Sequence, residues 1–178
     1  MKNTISVLAL LAMTFTPAMA RSETLGAHVH GIALLQVAVE HDAMLLSFSS
    51  PLDNMLGFEH KPGNATEQAK TDVMAATLQH AETMFIANPE AACTLASVHL
   101  DSVALEADDA DVEDHHHDGH ADIDGEFIFH CSHADRLQWL DVMLFDPFPN
   151  LHRLKVEVVT PQRQAAAMLT NDERRVSW

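Results

Sequence analysis

The chain has 178 residues, with 26 acidic against 10 basic side chains and a formal net charge of −16 when its histidines are neutral. That surplus disfavours nucleic acid and anionic membrane surfaces as partners and favours cations. The length fits one compact domain, and no apolar run reaches the length needed to insert into and cross a bilayer.

Residues 1–20 carry the marks of a secretory signal: Lys2 as the positive start, Ile5 to Phe15 as the apolar stretch, and Ala18-Met19-Ala20 as the cleavage site. The sequence therefore predicts export, cleavage near Ala20, and a soluble mature chain of residues 21–178 forming a single domain. Its two cysteines, Cys93 and Cys131, read first as a disulfide in an oxidising compartment. A thiolate contribution to a metal site is the alternative, which such a compartment disfavours. If bridged, they close a loop of about 39 residues, a stabilisation of about 3–4 kcal/mol on the chain-entropy account.

Past a short polar leader, Ala27-His28-Val29-His30-Gly31 precedes a loosely alternating run, Ile32 to Val39. With Ala43 to Phe48 across the turn Glu40-His41-Asp42, it predicts a β-hairpin. His28 and His30 stand at the mouth of the first strand on one face, about 7 Å apart, so one cation can reach both. The same H-x-H also describes two exposed polar residues at a sheet edge. Pro51 ends the second strand. Glu59 and His60 then offer a carboxylate beside an imidazole, as two ligands or as a carboxylate orienting a ligating histidine. Thr66 to Phe85 predicts the main helix, N-capped by Thr66, with Val73, Leu78, Met84 and Phe85 on or near its apolar stripe. Asn88-Pro89 stops it, and His80 reads as a surface residue.

Cys93 to Leu105 alternates as a strand, with Leu95, Ser97, His99, Asp101 and Val103 on one face. It leads into EADDADVEDHHHDGHADIDGE, residues 106–126. That segment lacks the apolar residues that offset the entropy of ordering, which predicts a flexible acidic loop. A charge run of this kind is ordinarily a solvated surface. Here His115, His116, His117 and His120 fall within six residues, among carboxylates and with no Lys or Arg between, which turns the reading towards metal binding. Gly125 is expected to close the loop, with Glu126 to Cys131 as the returning strand. His130 and His133 flank Cys131, either facing a common point or capping the strand. Leu137 to Phe145 fits neither period, and the prolines of Asp146 to Asn150 make a turn. Leu154 to Val159 alternates as a strand, with a last one expected within Gln162 to Leu169. The whole predicts an α+β fold: a largely antiparallel β-sheet with one main helix and a long acidic His-rich loop.

AHVHG at 27–31, SPLDNMLGFEH at 50–60, FIFHCSH at 127–133 and LFDPFPNLHRLKVEVVTPQ at 144–162, with the His-rich insertion between them, resemble the zinc-regulated periplasmic proteins of the ZrgA family. Together these motifs span essentially the whole mature chain. The resemblance implies a periplasmic zinc-binding accessory to high-affinity zinc import, working beside an ABC importer and its solute-binding protein.

The leading expectation is thus a protein that captures, buffers or hands over Zn²⁺, and not an enzyme. An ordered site would draw on His28, His30, Glu59, His60, His130 and His133. A second, exchangeable set would lie in the loop histidines and release metal faster. Cu²⁺ would bind such donors at least as tightly as Zn²⁺. A zinc-dependent hydrolase is the alternative, but the sequence has no H-E-x-x-H, nucleophile elbow or general base on a regular element. A structural or interaction domain with an incidental His-rich loop is the third reading.

Overall fold

The structure is a computed structural model that describes residues 29–106 and 121–178. The expected signal segment, His28 and the histidines at 115, 116, 117 and 120 lie outside the described residues. Among the described residues, no helix is long and apolar enough to cross a membrane.

The period-2 runs form the expected hairpin, β1 (Ile32–Glu40) and β2 (Ala43–Pro51), paired antiparallel. Three helices follow, the short α1 (Leu52–Leu56), the main helix α2 (Ala65–Gln79) and the short α3 (Ala81–Met84), and then strand β3 (Phe85–Ala87). The chain continues through β4 (Cys93–Asp101), β5 (Asp122–Cys131), β6 (Trp139–Val142), β7 (Arg153–Val159), β8 (Gln164–Leu169) and β9 (Arg175–Ser177). The larger sheet has the order β4-β5-β2-β1-β7-β8, and the smaller one β3-β6-β9. Pairing is antiparallel throughout except between β1 and β7, which run parallel. The fold is α+β with mostly antiparallel sheets, as expected. The β1–β7 crossover and the second sheet were not anticipated.

Alternation sends Leu35, Val37, Met44, Leu46, Phe48, Phe127, Val156 and Val158 into the core and leaves Leu45, Ile128 and Val159 on the open face. The inward set forms one cluster with Leu52 of α1, Met74 and Leu78 of α2, and Leu140 and Val142 of β6. The Phe85 ring meets Phe127 at 5.0 Å, tying the small sheet to the large one.

Several local expectations are corrected. Asn64, not Thr66, caps the helix, its Oδ1 accepting from the amides of Thr66 and Glu67. Glu67 answers by accepting from the Gly63 amide at 2.7 Å, which holds its carboxyl below the usual range. The buried face of α2 is Thr71, Met74 and Leu78, whereas Val73 is 66% exposed. The helix stops at Gln79 because the chain turns at His80, and Phe85 is delivered to a strand instead. In β4 a register shift between Leu95 and Ser97 reverses the faces, so Val98 and Leu100 point inward with Leu95. Gly125 does not close the loop. It lies within β5, where the Phe127 ring occupies the space a Cβ would take, with Cζ 2.8 Å from that position. Asp122, Asp124 and Glu126 therefore belong to the strand and not to the His-rich loop.

Cys93 and Cys131 face each other across β4 and β5 and are joined by a disulfide, as expected.

Candidate metal centre

The strand directions split the predicted ordered ligands. His30 sits just before β1, at the sheet end where β2 finishes and β5 begins. His130 lies at the far end of β5, in register with Ala43, and its Nδ1 is 3.2 Å from Asp42 Oδ2. His133 follows Cys131 at that same far end, its amide donating to the Ala91 carbonyl. The nine residues of β1 separate the two groups, about 30 Å at roughly 3.3 Å per residue. His30 and His130/His133 therefore do not form one site. Spacing along the sequence holds no information about which end of a sheet a residue reaches.

The end that holds His30 is built from Asn54. This side chain is 1% exposed and takes three hydrogen bonds. Its Oδ1 accepts from the Gly31 amide, and its Nδ2 donates to the Ile32 carbonyl and to Ser50 Oγ, each at 3.0 Å. The chain entering β1 is thus clamped to the first turn of α1. Gly31 has φ of 79°, a left-handed conformation suited to glycine, and a Cβ there would come within 2.8 Å of His152 Cδ2. Its carbonyl accepts from the amides of both His152 and Arg153.

On this clamp the His30 ring, 57% exposed, lies between two carboxylates. Nε2 is 2.9 Å from Glu59 Oε1, and Nδ1 is 3.7 Å from Asp53 Oδ2. Glu59 thus stands beside a histidine from a distant part of the chain, His30. His60 stacks on Phe58 at 4.9 Å, with Nδ1 2.9 Å from the Lys61 carbonyl oxygen. A carbonyl oxygen only accepts, so Nδ1 carries the proton and Nε2 of the neutral ring keeps its lone pair. His80 is exposed, as expected, with Nδ1 3.4 Å from Glu82 Oε1. Asp53, Asn54 and His152 were not singled out from the sequence. The first two lie between the end of β2 and Glu59, where the sequence predicts no element, and His152 just before a strand with no second ligand near it in sequence.

The His-rich segment departs from and returns to the same end. It leaves after Glu106 and re-enters at Ala121, whose carbonyl accepts from the Leu52 amide at 2.8 Å, one residue before Asp53. Imidazole and carboxylate are donors suited to Zn²⁺. Among the described residues, no three His, Cys, Asp or Glu side chains converge as a ready-made metal group.

The sequence profile of the ZrgA family, described as zinc uptake proteins, matches residues 27–178. This chain belongs to the ZrgA family. The matched span takes in both strands of the hairpin, Asp53, Glu59, the His-rich segment and His152, so everything at the His30 end falls within the family's domain. A comparison with curated proteins finds no match.

Proposed function

We propose that this protein captures or buffers Zn²⁺ in the periplasm and assists high-affinity zinc import, acting as a binding protein and not as an enzyme. The observation that carries the reading is the placement of His30 between Glu59 and Asp53, at the sheet end where the His-rich segment begins and ends, in a chain of a zinc uptake family. His115, His116, His117 and His120 act as the exchangeable collecting set, and the ordered residues at the His30 end hold the ion more tightly. The acidic surplus draws divalent cations towards both. The receiving partner is the periplasmic solute-binding protein of a zinc ABC importer.

Deleting the gene is expected to slow growth and lower cellular zinc under chelation. Wild type should restore both, and His30→Ala should restore them incompletely. Unchanged zinc uptake in the deletion strain would refute the role in import. Purified protein is expected to lose at least about tenfold in zinc affinity between pH 7.5 and 5.5, because imidazole ligates only when neutral. A flat profile over that range would mean that histidine is not the ligand.

A further inference from the structure

On the side of the large sheet turned away from the core, the residues of β5, β2, β1 and β7 meet in rows set by the strand register. One row is wholly apolar: Ile128 is paired with Leu45, Leu45 with Ala38, and Ala38 with Val159. The open side of such a sheet ordinarily carries polar residues. Here Leu45, Ile128 and Val159 are 43%, 39% and 51% exposed, which leaves three large apolar side chains in one line in water. Single exposed hydrophobics are common, but a contiguous row marks an interaction surface.

The adjoining rows are polar and acidic. On one side lie Glu126, Ser47, Gln36 and Glu157, paired in that order across the same four strands. On the other stand His130, Ala43 and Glu40. Neither row holds a Lys or Arg. The nearest, Lys155, lies one row further and is spent on Glu157 at 2.6 Å. Glu126 and Glu40 have no Lys or Arg partner among the described residues. We propose that the apolar row is a docking surface for a partner protein that presents an apolar helix face bordered by Lys or Arg. With neighbouring strands about 4.8 Å apart, the row runs about 14 Å from β5 to β7, the length of about ten helical residues. Ala38, the small member of the row, leaves a dip between Leu45 and Val159, within a shallow groove of about 390 Å³ that this row and the Glu126 row line. A second copy fits the face less well, because like acidic surfaces repel and the chain carries a net charge of −16. The surface stands whether or not the His30 end binds zinc.

The test uses the mature chain and a synthetic helical peptide with leucines on one face and lysines beside them. Amide spectra of the ¹⁵N-labelled protein map the contact, and calorimetry gives the affinity. Shifts should centre on Ile128, Leu45, Ala38 and Val159. Leu45→Thr with Ile128→Thr is expected to weaken binding about tenfold or more, the scale of losing buried apolar area. Glu40→Gln with Glu126→Gln should weaken it severalfold and flatten its dependence on salt. All four side chains are exposed, so these variants should melt with the wild type. Val159→Thr, nearly the same shape, gives a second reading should the double change disturb the sheet. A control peptide with glutamate in place of lysine should not bind. No binding of the lysine peptide, equal binding of the control, shifts elsewhere, or affinity unaltered in the Leu45, Ile128 and Val159 variants would overturn the proposal. A wild-type dimer in sedimentation that Leu45→Thr dissolves would overturn it too, and give the face to a second copy.

Discussion

Replacing Cys93 and Cys131 together with alanine is expected to lower the unfolding free energy by about 3–4 kcal/mol, the entropy regained by freeing a loop of about 39 residues. The cost should be near the upper part of that range because β4 is an edge strand with little else to hold it. Its inward residues Cys93, Leu95, Val98 and Leu100 are half-buried, and its register with β5 is interrupted between Leu95 and Ser97. The disulfide fastens the end of the β4–β5 pair opposite to the departure of the His-rich segment. The damage should therefore be local: faster amide exchange along β4, with zinc affinity at the distant His30 end changed by less than about threefold, as sites that share no partners act independently. Urea titration of the oxidised protein and the double variant measures the stability. A difference below about 1 kcal/mol would show that β4 is held by its ladder alone.

Asn54→Ala is the second large effect, and it joins stability to binding. Truncation leaves the Gly31 amide, the Ile32 carbonyl and Ser50 Oγ without the partner that satisfies them. Each stranded buried group costs about 1–3 kcal/mol, but the bond to the Ile32 carbonyl is only part-buried and water can replace it, so a total of about 2–4 kcal/mol is expected. The same change releases the entry to β1 from α1, so His30 and Asp53 lose their fixed separation. Zinc affinity should fall about 10–100-fold, the range seen when the supports of a ligand are removed. Denaturation and zinc competition on the same preparation check both. A variant that is destabilised but binds normally would show that the clamp serves the fold and not the site.

Where the signal was local, the sequence was a good guide. The β1–β2 hairpin, β7 and the cysteine pair were legible because alternation and an oxidising destination each point one way. Errors arose where two local signals competed. Thr66 and Asn64 are both capping types, and only the reciprocal bond between Gly63 and Glu67 selects Asn64. Alternation in β4 was read straight through a register shift that no residue type announces. The site was half legible. H-x-H and Glu59 were visible as donors, but the split between His30 and His130 depends on strand direction. The recruitment of Asp53, Asn54 and His152 depends on α1 folding back onto β1 and on the parallel pairing of β7. Those are contacts between residues far apart in the chain.

The central claim is that the His30 end carries a zinc site of its own, with the His-rich segment as collector. Calorimetric zinc titration of residues 21–178, beside a variant in which 107–120 is replaced by a short Gly/Ser linker, tests it most directly. Limiting the replacement to those residues keeps β5 whole, since that strand begins at Asp122. The variant is expected to retain one tight site and lose the weaker ones. Loss of all zinc binding in the variant would contradict it and place the metal in the His-rich segment alone.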